Sequence, residues 1–411
     1  MSTPTAAPLR RTATTWGLAL LGLSYLVNAM DRQVFYPLLP EISGTYGFSL
    51  SQGGLLATGF TLGVAAAGLP AGHLVDRLPR KRLLVASMGI YSIGTILTPL
   101  AAGFADLAVY RLLSGLGEGM QAAALYAAFG AAFQRRRSLA FGTLGVAFAL
   151  GVLIGPLIGA GLDGAFGSWR APFYFFGALG VLVAVLILTT VHRGLTDAGP
   201  ATVSGGPQDL ANLPTSPYNR NTLLLAVAAI GGGLAFYGFL GLYPTYLRTV
   251  LHFSAGQTAL ATSLIGAGAA MALPTGWLCD RMNPRTLLLI TYAGVAVSAW
   301  VLFNGPATPL WHYVFAFVLA GFLAGSMFTN VNSTMSRSVR PAQAGRAAGL
   351  FVATYYGAAA VSGFVFAQLV SSLGWHGAAL WQLTVLPAVV LAPLWFLDSS
   401  RIQAGTGRND R

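Results

Sequence analysis

Long apolar runs separated by short polar breaks fill almost the whole chain. A mostly apolar run of about 20 residues is the length that crosses a bilayer as a helix. Such runs fall at 16–39, 52–75, 83–104, 108–133, 139–162, 172–191, 221–247, 256–278, 286–304, 312–334, 347–370 and 379–397. The pattern predicts twelve transmembrane helices and an all-α polytopic membrane protein. The stretch 192–220 differs: it holds Gly194, Gly199, Pro200, Gly205, Gly206, Pro207, Pro214 and Pro217 and no apolar run, the composition of a flexible linker. The expected organisation is an N-terminal six-helix bundle over 1–191, a cytoplasmic linker over 192–220, a C-terminal six-helix bundle over 221–397, and a polar, disordered cytoplasmic tail over 398–411.

The two halves repeat one plan. Gly72-His73-Leu74-Val75-Asp76-Arg77-Leu78-Pro79-Arg80 returns 204 residues later as Gly276-Trp277-Leu278-Cys279-Asp280-Arg281-Met282-Asn283-Pro284, within a shared frame Gly-x-Leu-x-Asp-Arg-x-x-x-[Lys/Arg]. The same offset pairs Phe35 with Phe239, Pro40 with Pro244, and Pro70 with Pro274. This is the signature of a parallel internal repeat. The duplicated loop resembles the one between helices 2 and 3, and again between helices 8 and 9, of the major facilitator superfamily. Pro79 and Asn283 stand where that family usually has Gly, and both suit a tight turn. The resemblance implies two pseudo-symmetric bundles around a central cavity and transport by alternating access. It also implies a gate at the cytoplasmic loops built from Gly72, Asp76, Arg77, Arg80, Asp280 and Arg281, where Asp76 would pair with an arginine and latch one conformation. The alternative is that these charges only set topology.

Composition agrees with the periodicity. The chain has 411 residues, 55% hydrophobic and 8% charged, against about 25% charged in soluble domains. A net charge of +12 could suggest nucleic acid, but its placement argues otherwise. Of the 23 Lys and Arg residues, all but Arg32, Arg111, Arg170 and Arg248 fall at the ends of the chain or on the even-numbered loops. The positive-inside rule then puts both termini in the cytoplasm, the bacterial inner membrane being the expected location, and makes the charge an anchor to the inner leaflet. Lipid bilayer is an expected partner and nucleic acid is not. Arg10 and Arg11 before Trp16 do not read as a cleavable signal. Cys279, the one cysteine, excludes an internal disulfide.

Chemistry is expected where charge lies inside the spans. Four such residues stand out: Asp31 and Arg32 in the first span, Arg111 and Glu118 in the fourth. Charge in the hydrocarbon core is costly and faces a partner or a water-filled cavity. Arg111 and Glu118 are seven apart, hence on one helix face about 10 Å apart along the axis. Asn28 adds a polar group one turn before Asp31. Two acids and two bases at one level can neutralise each other pairwise as a purely structural lock. They can also couple protons to a substrate, since burial favours the neutral acid and a neighbouring guanidinium favours the charged one. Arginine is the stronger ligand for an anion, because it keeps its charge and grips a carboxylate with two parallel bonds.

Asn28-x-x-Asp31-Arg32 with Arg111-x6-Glu118 resembles the anion:cation symporter branch of the superfamily, and also Spinster-like lysolipid transporters. That resemblance implies substrate contact by Arg32 and Arg111, with Asn28 nearby, and proton coupling by Asp31 and Glu118. In the C-terminal half no buried charge is expected; Tyr237, Asn330 and Tyr355 are the candidate cavity residues, beside Tyr243, Asn332 and Tyr356. A run of glycines with Pro156 in the fifth span (Gly142, Gly151, Gly155, Gly159) is similar to a motif of drug:proton antiporters, and helix packing accounts for it equally. No Gly-x-Ser-x-Gly, His-Glu-x-x-His or Walker loop is present, so neither an enzyme nor an ATP-driven pump is expected, and no cofactor or metal. The reading is a proton-coupled secondary transporter of a small organic solute, an organic anion by symport. The alternative is a proton antiporter exporting drugs or amphipathic, lysolipid-like compounds.

Overall fold

The computed structural model describes residues 11–132, 137–197, 213–214, 216–340 and 343–403, excepting the side chains of 11–14, 69, 72–73, 76, 130–142 and 344–345. No strand occurs among them. The first six helices are α1 (Arg11–Tyr46), α2 (Leu50–Arg77), α3 (Arg80–Leu97), α4 (Phe104–Ala132), α5 (Arg137–Phe166) and α6 (Arg170–Thr190). The second six begin with α7 (Arg220–Thr249). α8 runs as Ala255–Ala269 and resumes as Ala272–Arg281, and α9 is Pro284–Asn304. α10 runs from Pro309–Ala320 through a π-helical stretch, Gly321–Met327, into Phe328–Arg337. α11 (344–373) and α12 (375–395) are divided by Gly374, whose φ of 72° lies in the left-handed region that glycine adopts without steric cost. The chain reverses there: Gln382 Nε2 donates to Ser362 O at 3.2 Å, a bond that joins positions on either side of Gly374.

Nine helical stretches among the described residues are long and apolar enough to cross a membrane, with α11 and α12 falling in one of them. α1 and α4 are not in that set; they are the helices that carry the four charges singled out in the sequence. The fold is thus an all-α polytopic bundle whose two most polar spans are shielded by their neighbours.

Close approach is built on small residues. A Cβ at Gly151 would strike Leu26 O, one at Gly155 would come within 2.8 Å of Met30 Cα, and one at Gly159 would strike Val34. The α5 glycines therefore seat α5 on α1. Gly54 of α2 and Gly363 of α11 meet backbone to backbone, where a Cβ on either would strike the carbonyl of the other. Beside them Thr58 Oγ1 donates to Ala360 O at 3.0 Å and accepts from Gly363 N at 3.2 Å. These contacts join the halves on the side of the molecule away from the chain ends.

Two segments are more ordered than their composition suggests. At the start of the linker stretch, Arg193–Thr196 forms one helical turn with Leu195 buried. Lys81 secures it, donating from its backbone N to Asp197 Oδ1 at 3.3 Å and from Nζ to Leu188 O at 2.8 Å and Val191 O at 2.6 Å, in the last turn and at the C-cap of α6. The expectation of a disordered tail fails for its first residues. Ser399–Arg401 forms a 3₁₀ turn, pinned because Asn221 of α7 exchanges two bonds with the Asp398 backbone (2.9 and 3.0 Å). Arg337 Nε also donates to Gln403 O at 2.9 Å. Polar composition does not prevent order here, because backbone groups of Asp398, Ser400, Arg401 and Gln403 find partners. Residues 404–411 lie outside the described residues.

Candidate functional site

The four charges come together between α1 and α4, but not as two ion pairs. Arg32 Nε donates to Glu118 Oε2 at 2.7 Å, with Glu118 fully buried. Asp31 instead accepts from Thr95 Oγ1 of α3 at 2.6 Å. Arg111, 4% exposed, makes no ion pair among the described residues. Its guanidinium lies over the rings of Phe35 (4.1 Å to the centroid) and Phe60 (4.7 Å), with Nε and Nη2 buried and without a hydrogen-bond partner. The arrangement thus corrects the expectation of pairwise neutralisation: one arginine is paired with an acid, the other is held by aromatic faces. Asn28 is a neighbour rather than a direct ligand of these groups. It donates from Nδ2 to Gln121 Oε1 at 2.8 Å, and Gln121 Nε2 donates to Ser24 O at 3.1 Å.

Arg32 also forms part of the wall of a cavity of about 260 Å³ between the halves. From α5 come Gly145, Phe148, Ala149 and Val152, from α7 Phe236, Tyr237 and Leu240, from α8 Ile265, Ala269 and Ala272, from α10 Ala324, Phe328 and Thr329, and from α11 Tyr355 and Tyr356. The lining is mostly aromatic and aliphatic, with one cation, Arg32, and the polar side chains of Gln33 beside it on α1 and of Thr329 on α10. Phe148 faces the Arg32 guanidinium at 5.4 Å, and Tyr237 meets Tyr355 edge to face at 6.1 Å. Such pairs fix ring orientation beyond what apolar burial alone does. The wall residues of α5, α8 and α10 lie from mid-span toward the side of the chain ends, while the Gly54–Gly363 contact closes the opposite side.

Among the sequence candidates, the cavity therefore gathers Arg32, Tyr237, Tyr355 and Tyr356. Asp31, Arg111 and Glu118 stand behind Arg32 and away from the lining, and Asn28 lies beyond Gln121. Asn330 is fully buried and donates to Ser326 Oγ at 3.0 Å, while Ser326 shares a 2.7 Å bond with Thr291 of α9. It therefore packs α10 against α9. Residues the sequence reading passed over are Gln33, Thr95, Gln121, Phe148, Phe328 and Thr329. Gln121 was within reach of pattern reasoning, being three residues after Glu118 on the same helix face. Nothing in the apolar third span marks Thr95.

At the loops, Gly72 and Asp76 fall within the last turns of α2, and their side chains lie outside those described. Arg77 is exposed and ends α2, while Arg80 begins α3. In the second copy Asp280 lies 4.0 Å from Arg337 Nη1, and Arg281 stacks on Trp277 at 3.8 Å. Cys279 is buried and unpaired in any disulfide. It accepts from Arg337 Nη1 through its carbonyl at 3.0 Å.

A twelve-span, twofold-repeated helical bundle with charge buried between its first and fourth helices defines a secondary-transporter architecture. Residues 21–364 match the family model for the Major Facilitator Superfamily, and the chain belongs to that superfamily. It is a transporter, not an enzyme. The chain is 24% identical over 377 residues to an uncharacterized MFS-type transporter of Mycobacterium tuberculosis, covering 77% of this chain and 64% of that one. It is 26% identical over 416 residues to a triacylglyceride transporter of Mycobacteroides abscessus (85% and 80% covered). It is 25% identical over 417 residues to a 4-hydroxybenzoate transporter of Pseudomonas aeruginosa (91% and 90% covered). In fold it matches the crystal structure of a bacterial homologue of the human lysosomal transporter Spinster, inward-facing and unoccupied, with a TM-score of 0.78 at 19% identity over 96% of this chain and 98% of that one.

Proposed function

We propose that the protein carries a small organic acid with an unsaturated or aromatic body across the membrane by alternating access, coupled to protons. The observation that carries this reading is Arg32: the one charged group at the wall of a mainly aromatic and aliphatic cavity, with Gln33 beside it and Glu118 bonded behind. A carboxylate entering the cavity competes with Glu118 for Arg32, and its ring packs on Phe148, Tyr237 and Tyr355. Loss of the arginine makes the charged form of Glu118 costlier in its buried place, so Glu118 takes up a proton as the substrate binds. Asp31, whose carboxylate accepts from Thr95, is the second proton carrier. Arg111 acts through Phe35 and Phe60 as a fixed positive charge behind the site.

The cavity volume of about 260 Å³ is just below the roughly 300 to 1,000 Å³ of drug-sized sites, which favours a small acid over a lipid-like compound. The 4-hydroxybenzoate transporter among the relatives supports the same choice. The antiporter alternative drew on the α5 glycines and on the resemblance to Spinster-like lysolipid transporters; the contacts of Gly151, Gly155 and Gly159 with α1 give the glycines a packing role, and the small cavity weighs against a lysolipid-like body. On this reading both termini and the linker are cytoplasmic, the location is the bacterial inner membrane, the two bundles are the moving units, and the Asp76 and Asp280 loops form the cytoplasmic gate.

The test is uptake into proteoliposomes with an imposed gradient, acid outside, of benzoate-like acids beside a cation of the same size. Accumulation of the acid and not of the cation, abolished by a protonophore, is the expected result. In Glu118→Gln, which keeps the shape of the protonated acid, gradient-driven accumulation is expected to vanish while exchange of substrate persists. Full accumulation by well-folded Glu118→Gln would remove Glu118 from the coupling step.

A further inference from the structure

The far ends of α1 and α7, on the side away from the chain ends, are related by the internal repeat, and each is weakened in the same way. Pro37 and Pro40 lie inside α1 and Pro244 inside α7. A proline has no N–H to give to the carbonyl four residues back, so the outer turn of each helix is tied less firmly to the rest. Directly after Pro40 stands Glu41, and one turn after Pro244 stands Arg248. Arg248 Nη2 and Glu41 Oε1 form an ion pair at 2.7 Å, with the side chains 28% and 25% exposed. It joins the two halves, whereas Arg32–Glu118, Arg337–Asp280 and Arg401–Asp398 each stay within one half.

Each partner is braced to its own half. Arg248 Nη1 donates to Phe253 O at 3.3 Å, in a turn closed by Phe253 N to Leu247 O at 2.9 Å. That turn includes His252 at φ 56°, a left-handed conformation that a non-glycine residue holds only where its surroundings impose it. On the other side Thr45 Oγ1 donates to Glu41 O at 2.8 Å and accepts from Trp169 Nε1 at 2.9 Å, which ties the end of α1 to the start of α6. Glu41 Oε2 is buried with no partner, so the carboxylate depends on Arg248. Asp163 at the end of α5 is within electrostatic reach of Arg248.

We propose that Glu41–Arg248 is a latch that holds the far side of the transporter closed, and that its rupture, with bending at the proline-weakened ends of α1 and α7, accompanies opening to that side. This inference rests on the alternating-access reading but on neither the substrate nor proton coupling. In the latched state the substrate path is closed by the Gly54–Gly363 contact below it, and the ion pair sets how often that closure gives way.

The experiment reads accessibility in lipid nanodiscs, where a water-soluble maleimide reaches both faces. In a Cys279→Ser background, Ala57→Cys reports on the far side, because Ala57 is fully buried in α2 beside Thr58. Ala149→Cys, on the cavity wall, reports on the other side. Glu41→Gln and Arg248→Gln are each expected to raise the labelling rate at position 57 by about twofold to fivefold, the range of a partly exposed ion pair, and to lower it at position 149. The charge swap, Glu41→Arg with Arg248→Glu, is expected to bring both rates back toward the wild type. Unchanged labelling in both single variants overturns the latch, and so does a swap no closer to wild type than the singles. Should Arg248→Gln fail to fold, the labelling rates of the isosteric Glu41→Gln decide the matter by themselves. A wild-type protein in which position 57 is never labelled, with or without a carboxylate substrate, overturns alternating access itself and the latch with it.

Discussion

Arg32 and Arg111 carry the same charge and were equal candidates in the sequence, but their neighbours give them different work. Arg32 faces the cavity with Glu118 at its back; Arg111 is sealed between Phe35 and Phe60. Arg32→Lys keeps the charge but loses the planar fork and the contact with Phe148, so the KM for an acid substrate is expected to rise about tenfold or more, as for a strong charge-assisted bond. Arg111→Lys is expected to change KM much less and to lower the maximal rate, since it never touches the cavity in this conformation. Equal KM effects in concentration series of both variants would refute this division. Behind them, Gln121→Leu leaves Asn28 Nδ2 unpaired in the interior at a cost of about 1–3 kcal/mol, read as a lower melting temperature in detergent. The four charges were legible because they interrupt apolar runs. Thr95 was not, because a hydroxyl in a span satisfies itself on its own helix as easily as on a partner. Nor were Phe148 and Phe328: one more phenylalanine among 24 carries no mark of the side it faces.

At the scale of helices, the number and order of the twelve runs could be read directly, because a bilayer-crossing helix must be long and continuous. Their ends were less legible. The first run was expected to close at Leu39, before Pro40, yet α1 continues to Tyr46: inside a bundle, neighbours compensate for the hydrogen bond a proline removes. The π-helical stretches in α10 and α12, Gly321–Met327 and Leu380–Val385, left no trace in the apolar pattern. In the first of them a Cβ on Gly325 would lie 2.9 Å from Met271 Cβ, so that turn of α10 is pressed against the break in α8. The α5 glycines were visible but ambiguous, and their seat on α1 gives Gly151, Gly155 and Gly159 a packing role. Gly155→Leu would push α5 off Met30 and, at about 1–3 kcal/mol for overpacking, is expected to lower the melting temperature by several degrees. The same change at Gly145, where a Cβ meets nothing within 4 Å, is expected to leave the melting temperature close to wild type and to act on substrate affinity instead, because Gly145 lines the cavity. Equal melting shifts for the two variants in a thermal-unfolding series would contradict this account of the glycines.

For the molecule as a whole, the 204-residue repeat announced two related halves, but it could not say which faces of them meet. That depends on residues with no charge and no motif: Gly54, Thr58, Ala360 and Gly363, where α2 and α11 touch backbone to backbone. Alternating access requires this contact to part and re-form, whereas the cavity wall needs it only on one side. A side chain at Gly363 cannot be accommodated against the Gly54 carbonyl, so Gly363→Leu is expected to hold the far side open. Such a protein keeps its folded spans, because the collision lies between halves and not within one. It is therefore expected to bind substrate with an affinity within about an order of magnitude of wild type, since binding needs only one accessible state, and to show no uptake or exchange in proteoliposomes. Binding measured by calorimetry beside flux from the same preparation separates the two. Gly363→Ala, with a smaller collision, is expected to fall between, transporting slowly. Normal flux in a well-folded Gly363→Leu protein would mean that the α2–α11 contact is not part of the transport cycle, and would move the closure of the far side elsewhere along α1 and α7.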